Sequence, residues 1–262
     1  MALCGARLST ADAPKSRVND LHKTFVLHDV HVGTLKSMLL RAKHQQRPKR
    51  EYKEFLRGVT FEVRRRECVA IIGRNGAGKS TMLGIVAKVQ YPTSGSVEIN
   101  GRVAPLLELG SGFHPDLTGV ENVYFNGMLL GLTHDQVRER LNQIVAFSEI
   151  GEYVNSPLRT YSSGMIARLG FAVASHVDAE ILIVDESLAV GDYRFVQKCY
   201  AFIRRFQMRG GTILFVSHAA SSVRDIATRC IWLEDGVVKM DGDPKEVVHA
   251  YQGQGASPEG AH

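Results

Sequence analysis

Cys68-Val-Ala-Ile-Ile72 followed by Gly73-Arg74-Asn75-Gly76-Ala77-Gly78-Lys79-Ser80-Thr81 is the stretch on which the reading of this chain turns. The first five residues are apolar on both faces, as a strand at the centre of a parallel sheet must be. The next nine satisfy G-x-x-x-x-G-K-[ST]. Glycines at this spacing let the backbone wrap closely around phosphate oxygens, with successive N–H groups and a helix N-terminus aimed at them. Lys79 then supplies a point charge for the β and γ phosphates, and the Ser80 hydroxyl can ligate Mg²⁺. The stretch therefore predicts a strand, a phosphate cradle and a helix, with a phosphate group and Mg²⁺ as the expected ligands.

A phosphate cradle of this kind needs an acid at the end of a second parallel strand, and Ile181-Leu-Ile-Val-Asp185-Glu186 provides one. Asp185 is expected to hold Mg²⁺ through water, and Glu186 to orient or deprotonate the water that attacks the γ-phosphate. A third buried-looking run, Thr212 to Val216, is followed by Ser217 and His218, so another polar side chain arrives at the edge where α/β sheets bind ligands. Strands separated by helix-length segments imply an α/β fold built on a parallel sheet. Asp20 to Val26 and residues 59–63 read as further strands. Asn100-Gly101, between alternating residues of Ser96–Ala104, predicts an antiparallel hairpin flap. From Thr118 to Val177 the pattern is helical, with Thr133-x-x-Gln136 forming a capping box before Val137, Leu141, Ile144 and Val145.

Composition narrows the class further. At 262 residues and 44% apolar content the chain can bury a substantial core, which excludes disorder as its main state. No apolar run approaches the roughly 20 residues that a membrane helix needs, and the first eight residues lack the apolar stretch of a secretory signal, so a cytoplasmic location is expected. Cys4, Cys68, Cys199 and Cys230 form no C-x-x-C pair and read as reduced packing residues. The net charge of +5 is local: Lys36 to Arg57 holds eight basic and two acidic residues, and the remainder is close to neutral. Nucleic acid is not an expected partner. Within that segment Leu35, Met38, Leu39 and Ala42 share one helical face, predicting a basic amphipathic helix in an insertion at about 34–47. Residues 1–19 and 253–262 read as tails around a domain spanning 20–252, with a helical subdomain at about 113–178.

About 80 residues after Lys79, Tyr161-Ser162-Ser163-Gly164-Met165 precedes a helical run whose N-terminus would expose Ser163 and backbone N–H groups, a second place for an anion. This arrangement resembles the signature loop of the ABC ATPases, usually Leu-Ser-Gly-Gly-Gln. The resemblance continues with Asp192 at the position of the D-loop aspartate and His218 at that of the switch histidine. Leu106–Phe113, Thr118-Gly-Val-Glu-Asn122, Tyr161–Met165 and Asp185–Asp192 are together similar to the ATPase subunits that export O-antigen, capsular polysaccharide or teichoic acid.

The resemblance implies an ABC ATPase fold: a RecA-like P-loop core, an antiparallel β subdomain and an inserted α-helical subdomain. It also implies two copies closing on two ATP molecules, with the signature of one copy covering ATP in the other, and a separate membrane permease in two copies that handles a lipid-linked glycan. The chain would then sit on the cytoplasmic face of the plasma membrane through that permease. Glu108 stands roughly where most of the family has Gln and is expected beside Mg²⁺. Phe25, in His22-Lys-Thr-Phe25, fits the adenine-stacking position, with His28, Tyr52 and Phe55 as competitors and a core role as the alternative. The basic helix either faces the membrane partner, where anionic headgroups contribute about 1 kcal/mol per nearby Lys or Arg, or is a solvated face. Phe113, Met128, Leu129 and Leu130 either line a cleft for the permease or belong to the core. Little follows Tyr251 except Gly, Gln, Ser and Pro, so either the glycan needs no C-terminal carbohydrate-binding domain or an extension is lacking. A soluble ABC ATPase acting on ribosomes or DNA, and a P-loop kinase or GTPase, are the competing readings; the last leaves Tyr161–Met165 and His218 without a role.

Overall fold

The sheet that carries the phosphate loop has six strands in the order β5-β6-β7-β3-β8-β9. In the computed structural model, residues 14–27, 51–107, 109–185, 192–217 and 219–255 are described. The strands are β3 (Cys68–Ile72), β5 (Val103–Leu106), β6 (Ile181–Val184), β7 (Thr212–Val216), β8 (Arg229–Glu234) and β9 (Val237–Gly242). The first five are mutually parallel, and β9 closes the edge antiparallel to β8. The expected bounds of β3, β6 and β7 hold because each is a short apolar run buried on both faces. Alternate residues serve opposite layers: Cys68, Ala70 and Ile72 pack with Phe171, Phe195 and Trp232, while Val69 and Ile71 pack with Met82, Leu83 and Leu56.

Three departures from the sequence reading have local causes. The first strand, β1 (Ser16–Leu27), begins within the expected tail, since Ser16 to Val18 pair with β2 on one side and β4 on the other. Strand β2 (Glu51–Val63) extends far upstream of residue 59 through a polar stretch, because its backbone is matched against Thr24–Leu27 of β1. Asn100-Gly101 does not make a hairpin. Strand β4 (Ser94–Ile99) joins β1 in a three-stranded antiparallel sheet, whereas β5 pairs in parallel with β6, so the turn carries the chain from one sheet to the other. Asn100 anchors that crossing by donating its N–H to the Lys15 carbonyl at 2.8 Å and its side-chain amide to the Pro14 carbonyl at 3.0 Å.

The helices are α1 (Lys79–Val86), α2 (Gly119–Leu129), α3 (His134–Ser148), α4 (Ser163–Ser175), α5 (Tyr193–Met208), α6 (Ala220–Ile226) and α7 (Pro244–Gly255). Helices α2 to α4 have their own core around Val123, Val137, Ile144, Leu158 and Leu169. The capping box at Thr133 and Gln136 forms as expected. A second one, Thr118 with Glu121, starts α2. The predicted amphipathic helix at 34–47 lies outside the described residues, and α7 continues to Gly255, beyond the expected domain end.

Candidate nucleotide site

The loop between β3 and α1 is shaped by close backbone approach. Gly73 has φ +153°, and a Cβ there would stand 2.1 Å from the carbonyl oxygen of Leu233 on β8, so this position admits only glycine. Gly78, with φ +99°, caps α1, and Lys79 opens the helix with its side chain folded back over the loop. Lys79 is 6% exposed, and its ammonium donates to the carbonyls of Gly73 at 2.8 Å and Arg74 at 3.0 Å. The result is a cavity of about 190 Å³ lined by Phe55, Asn75, Gly76, Lys79, Ser80, Thr81, Asp185 and Val216. The ends of β3 and β6 thus deliver a lysine, two hydroxyls and a carboxylate to one edge of the sheet, beside Val216 at the end of β7. This donor set fits a phosphate with a divalent cation, and the glycine cradle is one that a Cβ would fill.

Asp185 directly follows β6, and its N–H donates to the Leu106 carbonyl at 3.4 Å, which places the carboxylate beside Ser80. Glu186, His218 and Glu108 lie outside the described residues. Ser217 Oγ accepts the Ala219 N–H at 3.1 Å.

The aromatic nearest the cradle is Phe55 and not Phe25. Phe55 lines the 190 Å³ cavity, whereas Phe25, paired opposite Lys53 on the neighbouring strand, stands edge-on behind it with ring centroids 5.2 Å apart. The two rings occupy adjacent strands, with Phe55 the one that faces the cavity.

In the 161–165 segment the residues divide by direction. Tyr161 is 8% exposed and donates its hydroxyl to the Tyr153 carbonyl at 2.6 Å, so it packs in the subdomain core. Burial also pushes its phenol up. Met165 packs on that same core. Ser162 caps α4 by accepting the Met165 N–H at 3.2 Å, and Ser163 is exposed at the helix's first turn with Gly164 beside it. These residues do not reach the phosphate-loop cavity of their own chain. The helix is also tied to the loop that leaves β5: a Cβ on Gly170 would lie 2.5 Å from the Gly110 nitrogen, so only glycine permits this contact.

Asp192 is likewise engaged within its chain. Its Oδ1 accepts the Phe195 N–H at 2.9 Å as the N-cap of α5, and its Oδ2 binds the guanidinium of Arg168. It is therefore a helix cap and ion-pair partner, and it does not line the nucleotide cavity.

The family whose pattern matches residues 56–189 is described as ABC transporter. The chain belongs to the ABC transporter family. It is 53% identical over 194 residues to the O-antigen export system ATP-binding protein RfbB of Klebsiella pneumoniae, covering 74% of this chain and 79% of that one. It is 39% identical over 237 residues to the teichoic acids export ATP-binding protein TagH of Bacillus anthracis, covering 90% of this chain but 42% of that protein. Among solved structures it is similar to the dimeric post-hydrolysis ATP-binding cassette MJ0796 bound to ADP and Pi. That TM-score is 0.68 at 21% identity, with 87% of this chain and 98% of that one covered, which establishes the ABC ATPase fold.

As an ABC ATPase, the chain carries two features that sequence reasoning left without a part. The side-chain amide of the fully buried Asn122 donates to the carbonyls of His114, Leu117 and Thr118 and accepts the His114 N–H at 2.7 Å, clamping the loop that enters the helical subdomain. Arg168 links the signature helix to the segment after β6. Asn122 sits inside the Thr118–Asn122 motif and Arg168 three residues beyond the Tyr161–Met165 motif, yet only folding shows what they hold. Of the apolar candidates, Met128 and Leu129 are exposed, Leu129 at 63%, together with Phe125, whereas Phe113 and Leu130 pack partly against the subdomain core. A cavity of about 320 Å³ bounded by Ser80, Asp185, Gly110, Asn126 and Leu130 lies between this face and the phosphate loop. Among the described residues no helix is long and apolar enough to cross a membrane.

Proposed function

We propose that this chain is the ATP-hydrolysing subunit of an exporter that moves a cell-surface polysaccharide, such as lipid-linked O-antigen, capsule or teichoic acid, through a separate permease. The observation that carries the catalytic part is the gathering of Lys79, Ser80 and Asp185 around one cavity at the sheet edge. The glycan part is supported by the export systems named for its relatives.

In this reading Lys79 holds the β and γ phosphates, its charge offsetting the charge that gathers on the γ-phosphoryl group as water attacks. Ser80 and Asp185, with Glu108 nearby, hold Mg²⁺, which neutralises phosphate charge when bound. Glu186 follows Asp185 directly and takes the proton of the attacking water as the bond to the β-phosphate breaks and ADP is released. His218 contacts the γ-phosphate from the end of β7. The N–H groups at the start of α4, with Ser162, Ser163 and Gly164, are presented outward to the ATP of a second copy. Closure of two copies on ATP and their separation after hydrolysis would move the permease, with Phe125, Met128 and Leu129 as the apolar contact for it. Such a subunit lies peripherally on the cytoplasmic face of the plasma membrane.

The test uses Glu186→Gln, in which the phosphate contacts remain and the base is lost. We expect turnover to fall roughly 10²- to 10⁴-fold, and light scattering with Mg-ATP to shift from the 28.9 kDa monomer to twice that mass. Ser163→Arg in the same background should bind ATP and stay monomeric. In cells lacking this chain, export of the surface glycan should return with the wild-type chain and not with Glu186→Gln. Wild-type turnover in Glu186→Gln, or restored export by that variant, would overturn the proposal.

A further inference from the structure

A second, larger cavity of about 570 Å³ opens where β6 and β7 begin, at the sheet edge opposite the phosphate loop. Five cations line it, Lys15, Arg65, Arg66, Arg140 and Arg209, against two carboxylates, Asp178 and Glu180. Both carboxylates are already taken. Lys15 binds Glu180, and Arg140 donates to Asp178 at 2.7 Å and to the His176 carbonyl at 2.5 Å. Among the described residues, no carboxylate lies within ion-pair distance of Arg65, Arg66 or Arg209. Arg65 also acts on Glu180 through space, and the cavity keeps a net positive charge carried by its guanidinium groups. Its floor is apolar: Phe202 and Phe206, both half-buried, set their rings 6.3 Å apart with a tilt of 30°.

Guanidinium groups present a planar fork that matches phosphate oxygens, and a cluster of them in a concavity is a phosphate recogniser. The volume is that of a small-ligand pocket, in which an apolar surface bears the body and a few polar groups fix orientation. The two cavities are distinct. The five residues of β3 span roughly 16 Å between the two edges of the sheet.

We propose that this cavity binds a phosphorylated small molecule of nucleotide size, its phosphates on Arg65, Arg66 and Arg209 and its body on Phe202 and Phe206. Helix α5 gives the site a route to catalysis. Its N-cap is Asp192, immediately after the segment that holds Glu186, and its far end supplies Phe206 and Arg209 to the cavity. A ligand that tightens the C-terminal end of α5 acts on one rigid element shared with the hydrolytic edge, so occupancy tunes the ATPase rate.

The experiment is calorimetric titration of the Lys79→Ala protein, in which the phosphate loop is weakened, with inorganic tripolyphosphate and separately with ADP. Saturable binding is expected for both probes, weakened at least tenfold by Arg66→Ala/Arg209→Ala and partially recovered by Arg66→Lys/Arg209→Lys. ADP binding at least tenfold tighter than tripolyphosphate identifies a nucleotide whose base rests on the two phenylalanines. Equal affinities would show that Phe202 and Phe206 bear no part of the ligand and would overturn the proposal. A melting temperature within about 2 °C of the parent excludes misfolding as the cause. Affinities indifferent to the arginine substitutions, or no saturable binding of either probe, would overturn the proposal.

Discussion

The guanidinium of Arg168, on the helix that begins with Ser163, grips the carboxylate of Asp192, the residue that caps α5 directly after the Glu186 segment. The contact is part of a small network. Arg168 also lies 3.8 Å from Glu149 and over the Phe195 ring at 5.1 Å, and Lys198 of α5 reaches the same Glu149 at 2.7 Å. The Asp192 carboxyl is held below the usual range, first by the Phe195 N–H and then by Arg168. The helix that begins with Ser163 and the N-terminus of α5 are thereby fastened within one chain.

Arg168 is thus a positioning residue. As a partly exposed ion pair it adds little to stability, about 1 kcal/mol at most. Its geometric role predicts a larger effect on catalysis: in Arg168→Ala, kcat should fall about tenfold with KM for ATP changed less than about twofold. Arg168→Lys should recover part of the loss. Steady-state ATPase assays check this, and a KM effect with unchanged kcat would count against it.

The single tryptophan supplies a probe of the phosphate loop. Trp232 is buried, lies opposite Ile72 across the β3–β8 ladder, and precedes Leu233, whose carbonyl crowds Gly73. ATP should produce a saturable change in its emission. Lys79→Ala removes a charge-assisted contact worth about 1.5–3 kcal/mol, so the midpoint should move roughly ten- to hundredfold higher. An unmoved midpoint would show that the emission follows another site.

Phe55→Ala and Phe25→Ala separate the two aromatic assignments. Base stacking on an aromatic ring contributes about 1–3 kcal/mol. ATP affinity should therefore drop about tenfold in Phe55→Ala and much less in Phe25→Ala, where the loss is confined to the edge of Phe55. The reverse order would restore Phe25 to the stacking position. ATP and inorganic tripolyphosphate should be titrated side by side, since only ATP carries a base.

His176 predicts a pH effect on stability. Burial is the main cause that lowers its pKa below the ordinary 6.5. Arg140 and Lys198 act in the same direction, while the Ala172 carbonyl, 2.7 Å from Nδ1, opposes them. Because the folded value is the lower one, the unfolded chain takes up a proton first as pH falls. Stability is therefore full above 6.5 and declines through and below it. In urea unfolding at about pH 7.5 and about pH 5.5, the wild type should lose more stability than His176→Gln. Parallel losses would show that other groups dominate.

What the sequence alone determined was everything set by neighbours along the chain. The phosphate loop, the bounds of β3, β6 and β7 and the Thr133–Gln136 cap were legible because glycine spacing, unbroken apolar runs and capping pairs act over a few residues. Tertiary structure decided what depends on partners distant in the chain. Asn100-Gly101 has hairpin chemistry, yet β4 and β5 enter different sheets because β1 and β6 offer the better backbone ladders. The sequence favoured Phe25 over Phe55, and only the pairing of β1 with β2 shows that Phe55 is the one lining the cradle. Tyr161 and Ser163 are two residues apart in one motif, and the packing of α4 sends one into the core and the other outward. The basic cavity draws on residues from Lys15 to Thr212, so it exists only once the two sheets and α5 are assembled. Periodicity constrains which face of an element is apolar, but not which other element will cover it.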